Sequence, residues 1–127
     1  MVYDDRGRVR ASDDQCESDA TVHFALMGDS FVEALQVPID HPFYGRLVHA
    51  AKPGVCVENF GGSAYSPALY YLQYKNAIAA THPKHVLLLL YSNDVSEDTT
   101  NLALATRSAD GLPVAVPARR PNRSAIG

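Results

Sequence analysis

Three short apolar runs, "TVHFALM" (21–27), "VCVENF" (55–60) and "HVLLLLY" (85–91), alternate with stretches of helical periodicity, and this alternation restricts the fold more than any other feature. The second and third runs are apolar enough for strands buried on both faces. Between the first two, "HPFYGRLVHAAKPG" carries Phe43, Leu47, Val48, Ala50 and Ala51 at helical spacing, and Pro53-Gly54 closes it. Between the second and third, Ser66 can cap a helix with Pro67 in its first turn, and Leu69, Leu72, Tyr65 or Asn76, and Ile78 recur at roughly helical intervals. Strand, helix, strand, helix, strand predicts an α/β fold with a parallel sheet and right-handed crossovers.

The chain has 127 residues, 46% hydrophobic and 20% charged, which fits one domain with a real core. A net charge of -3 supplies no basic stripe for phosphates, so nucleic acid is excluded as a natural partner and a membrane surface is disfavoured. No stretch is apolar for long enough to span a bilayer, and "MVYDDRGRVRASDDQ" lacks the apolar centre of a signal peptide, which makes the cytoplasm the default location. Residues 1–19, rich in Asp, Arg and Ser, read as a flexible polar leader, and 20–127 as the domain proper. Cys16 in that leader and Cys56 in an apolar run suggest neither a disulfide framework nor a metal cluster, and Cys56 reads as a small core residue. No cofactor or metal is implied.

In a parallel sheet, ligands sit beyond the carboxyl ends of the strands. The segments there are "GDSF" after the first strand, "GGSAYS" after the second and "SND" after the third, so three polar loops share one rim. Gly28 permits a tight turn, and Ser30 then starts a short helix whose free amides favour negative charge. An oxyanion formed by attack at Ser30 could be held by its own amide. Asp29 is too close in sequence to orient a base and suits a turn-forming carboxylate. Gly61 and Gly62 allow close backbone approach and leave the amides of residues 62–64 free to face the cleft. Asn93 can donate its side-chain amide to the same oxyanion, with Asp94 beside it. Each feature alone has an ordinary explanation: "GDS" as a turn and helix cap, "GGS" as a connection, Asn93-Asp94 as a cap.

Taken together, the three loops resemble the SGNH or GDSL family of serine esterases, lipases and acyl hydrolases. "GDSF" is similar to the first block with Ser30 as nucleophile, "NFGGSAYS" to the second and "YSND" to the third with Asn93, and the resemblance covers roughly residues 21 to 98. It implies a three-layer α/β/α sandwich with a flavodoxin-like sheet, a small ester or acyl substrate, and an oxyanion held by the amides of Ser30 and Ala64 and the Asn93 side chain. Two departures stand out. Ala64 occupies a position usually taken by Gly, at a cost of about 1 kcal/mol or more if positive φ is required there. Tyr91 replaces the Gly that often begins the third block.

The family's base comes from a C-terminal D-x-x-H motif, and none occurs here. His23, His82 and His85 fall at the amino ends of strands, His49 on a descending helix, and only His41 lies near the rim. The 127 residues therefore read as the amino-terminal part of such a domain, ending in a loop, "PVAVPARRPNRSAIG", and inactive alone. A sheet ordered 2-1-3 leaves "HVLLLLY" as an uncovered apolar edge, which predicts self-association or binding of another polypeptide. A non-catalytic binding module on the same scaffold is the competing class. A nucleotide or phosphate binder ranks last because no glycine-rich loop with Lys is present.

Overall fold

The computed structural model describes residues 2–4, 8–10, 16, 22–37 and 43–117. Its centre is a sheet of three parallel strands, with β4 (Val55–Asn59) and β5 (His85–Leu88) on either side of β3 (Val22–Met27). Val22 pairs with Val55 and Phe24 with His85, so all three strands point to the same rim. The protein is thus a mixed α/β fold in which the three apolar runs form the parallel strands in the expected spatial order.

Side chains of β3 alternate between two cores. Leu26 packs with Val32, Tyr44 and Val57 on the face carrying α1 (Ser30–Glu33) and α2 (Phe43–Ala50). Ala25 and Met27 pack with Phe60, Tyr70 and Ile78 on the opposite face, under α3 (Pro67–Gln73). Helix α3 runs on through a π turn, Tyr74–Ile78, and a 3-10 turn, Ala79–Thr81, before β5. Beyond β5 follow α4 (Asp94–Leu104) and a hairpin of β6 (Thr106–Arg107) and β7 (Pro113–Ala115).

Several expectations are corrected. The leader is not structureless: β1 (Val2–Tyr3) and β2 (Val9–Arg10) pair antiparallel, and β2 adds to the sheet beside β4 through Val9 and Asn59. Its charges mislead because they are used inside, where the Arg8 guanidinium bridges Asp4 and the buried Glu58 carboxylate while Val9 is fully covered. Burial alone would lower the Arg8 pKa, but hydrogen bonding and the charges of Asp4 and Glu58 outweigh it and raise it. Cys16 and Cys56 form a disulfide, Cα to Cα 4.9 Å, which ties the leader to β4.

Of the three apolar runs, "HVLLLLY" is not buried on both faces, since every residue of β5 is exposed, while its position at the end of the strand order is the edge expected of it. Helix α2 buries Tyr44, whereas Leu47 is exposed. The start of the final segment is also ordered as β7, with Pro113 at the first strand position, where a missing N–H is tolerated. Residues 118–127 lie outside the described residues, as does His41.

Candidate active site

Strand β3 ends at Met27, and Gly28 makes the turn in a space with no room for a side chain. A Cβ there would fall 2.3 Å from the Val32 side chain and 3.0 Å from the Leu89 carbonyl oxygen. Asp29 caps α1, its carboxylate accepting the Phe31 amide at 2.9 Å, as its turn-forming role requires. Ser30 is therefore the first helical residue, half-buried, and its amide meets no acceptor among the described residues. The helix lasts one turn and stops at Ala34 in the left-handed conformation.

The second loop is fastened to this turn from below. Asn59 donates its side-chain amide to the Val32 carbonyl and accepts the Gly61 amide, each at 2.8 Å. Gly61 lies against the backbone of α1, where a Cβ would fall 2.3 Å from the Glu33 nitrogen. This glycine serves close approach, not positive φ. The Gly62 amide donates to the Gly28 carbonyl at 3.0 Å, which corrects the expectation that it is free to face the cleft. The Ser63 hydroxyl donates to the buried Glu33 carboxylate, a second tie between the loops. In this loop the amides of Ser63, Ala64 and Ser66 have no acceptor among the described residues. Ala64 has φ 60, so the position does take the left-handed conformation that glycine would adopt without strain.

The third loop closes the rim. Asn93, next to α4, donates its amide to Asp29 Oδ2 at 3.3 Å and to Glu97 Oε1 at 3.4 Å, which brings it to the carboxylate beside Ser30. Its donors are thus not idle, a correction to the expected free oxyanion donor. Asp94 is fully buried and accepts the Tyr70 hydroxyl at 3.1 Å and the Tyr91 amide at 2.9 Å, clamping the loop to α3. Burial, with the negative charge of Asp94, pushes the Tyr70 phenol far above its ordinary range, so it stays a donor. Burial, then the Glu33 charge, raises Tyr65 in the same sense. The helix capping expected of Ser66 falls to another residue: Asp98 accepts both the Ser66 hydroxyl, at 2.9 Å, and the Ala68 amide, at 2.7 Å.

The predicted residues Gly28, Asp29, Ser30, Gly61, Gly62, Ala64, Asn93 and Asp94 therefore fall on three loops joined by hydrogen bonds. Sequence reasoning missed Glu33 and Ser63; their pairing joins residues 30 positions apart, which no local pattern shows. Four histidines are described. His23 and His85 sit on strand segments facing the far rim, His23 about 16 Å along the strand from Gly28 at 3.3 Å per residue. His82 ends the 3-10 turn before β5, and His49 is exposed in the last turn of α2. In a metal-like grouping of Cys16, Cys56 and Glu58 the sulfurs are bonded to each other and one Glu58 carboxylate oxygen accepts from Arg8.

Comparison of the chain with protein-family models, with curated proteins and with solved structures finds no match. No helix among the described residues is long and apolar enough to cross a membrane.

Proposed function

We propose that the protein is an SGNH-type serine hydrolase that cleaves ester bonds, with Ser30 as nucleophile. The observation that carries this reading is the junction of the first and third loops, where Asn93 is held 3.3 Å from the carboxylate that precedes Ser30. The same reading places the fold with flavodoxin-like three-layer α/β/α sandwiches. Ser30 Oγ attacks the ester carbonyl carbon, a C–O bond forms and the carbonyl electron pair moves onto oxygen. The hydroxyl proton passes to a base and from it to the departing alkoxide as the old C–O bond breaks; water then releases the acid by the reverse sequence.

The amides of Ser30 and Ala64 and the Asn93 side chain hold the oxyanion. Both Asn93 contacts are longer than the roughly 2.9–3.0 Å typical of N–H···O bonds, so one is exchanged for the oxyanion at small cost. Ala64, in the strained left-handed conformation, keeps an amide without an acceptor among the described residues. The base is none of the four described histidines. Hydrolysis of p-nitrophenyl acetate in added imidazole tests the nucleophile independently of the natural base. Imidazole should accelerate turnover by the wild-type chain above that by Ser30→Ala, and equal rates in the two would remove Ser30 from the mechanism.

A second reading, a non-catalytic module that binds a polypeptide partner or a second copy of itself, is favoured by β5. Val86, Leu87 and Leu88 are all more than 40% exposed, and the outer edge of the strand pairs with nothing among the described residues.

A further inference from the structure

We propose that the apolar cavity beneath Phe31 and Tyr91 is the acyl subsite, so that the substrate is an ester of an uncharged, straight-chain acid; this rests on the esterase reading above. The cavity has a volume of about 360 Å³, and all but one of its lining residues are apolar, among them Phe31, Phe43, Leu89, Leu90 and Tyr91. The exception is Asp29. Asp29 and Phe31 flank Ser30 in the chain, which sets the cavity next to the nucleophile's turn, although Ser30 itself is not part of the lining. Two other apolar clefts lie along the body of the sheet, one reaching Leu87 and one Val86 and Leu88, and neither includes a residue of the three loops.

The chemistry of the wall selects the ligand. The Asp29 carboxylate accepts the Phe31 amide and the Asn93 side chain, and its charge repels an acyl chain ending in a carboxylate. Phe31 and Tyr91 pack against each other with ring centroids 4.5 Å apart, yet both are more than half exposed. Two adjacent aromatic rings held in water beside a nucleophile form a roof that an alkyl chain would cover. The volume is at the small end of the roughly 300–1,000 Å³ of ligand cavities, which favours a short chain over a long one.

Two measurements on the full chain test this. In the first, p-nitrophenyl acetate, butyrate, hexanoate and octanoate are compared as Ser30-dependent kcat/KM at one fixed concentration of added imidazole. Each added methylene should raise the value about fourfold until the cavity is filled. Leu90→Ser and Phe31→Ala, both at exposed positions, should lower the hexanoate-to-acetate ratio at least tenfold. A ratio unchanged by either substitution, or a series flat in chain length, overturns the subsite while leaving Ser30-dependent hydrolysis standing. In the second, butan-1-ol and hexan-1-ol are titrated into Ser30→Ala and followed by methyl NMR. Binding should shift Val32, Leu89 and Leu90 and tighten with chain length, whether or not any ester is cleaved. Absence of binding there overturns the subsite, whereas failure of the esterase reading is seen separately, as no Ser30-dependent hydrolysis of any ester.

Discussion

The two sides of the parallel sheet end differently. Beyond β4 the edge is closed by β2, by the disulfide between Cys16 and Cys56, and by the Arg8 guanidinium between Asp4 and Glu58. Beyond β5 nothing among the described residues pairs, and the strand exposes Val86, Leu87 and Leu88, while Ala25, Leu26 and Met27 one strand away are at most 3% exposed. The covered side is polar and tied by specific bonds, and the open side is apolar and tied by none. Sheets must manage their edges, and a charged, covalently anchored flap is one way to do so. The open side has the composition of an interior surface, which is why we connect it with association.

The largest effect that would break this comparison is expected at Arg8. Arg8→Leu leaves the Glu58 carboxylate buried without its cation and should cost about 3–5 kcal/mol in urea unfolding, most of it recovered when Glu58→Leu is added. A loss in the single variant no larger than a surface substitution would mean that the flap does not depend on the ion pair. Replacing both cysteines by serine should cost about 2–4 kcal/mol, since the bond closes a long loop in the unfolded chain. Equal stability with and without reductant would show that the flap holds without it. On the open side, Leu88→Lys should cost about 1 kcal/mol or less, because the side chain is already 44% exposed. In sedimentation velocity it should shift any oligomer toward monomer, and an unchanged distribution of oligomers would show that β5 is not the contact.

The contrast also explains what was legible beforehand. Apolar run length and helical spacing located β3, β4 and β5, helices α2 and α3, and the three loops, because these depend on local pattern. Apolarity states what a strand prefers and not what covers it, so "HVLLLLY" read as buried on both faces although every residue of β5 is exposed. The flap was hidden for the opposite reason: Arg8 and Glu58 look solvated until a partner 50 residues away is known, and Cys16 has no local signal that selects Cys56. Around the site, types and positions were readable, whereas donors were not. Gly62, Asn93 and Ser66 each have the polar group expected of them, but pairing redirects it to the Gly28 carbonyl, to the Asp29 and Glu97 carboxylates and to Asp98 respectively. The one conditional statement that the family resemblance allowed, that Ala64 is strained if positive φ is required, has its condition met at φ 60.

The central claim is that three converging loops make Ser30 a nucleophile, and covalent labelling tests it most directly. The protein is incubated with a fluorophosphonate and digested, and the modified peptide is located by mass spectrometry. The adduct should sit on Ser30 and no other serine, disappear in Ser30→Ala, and form about 100-fold more slowly in Asn93→Ala, which lacks one oxyanion donor. Labelling spread over several serines, or undiminished in Ser30→Ala, would contradict the account and leave the rim as a binding surface without chemistry.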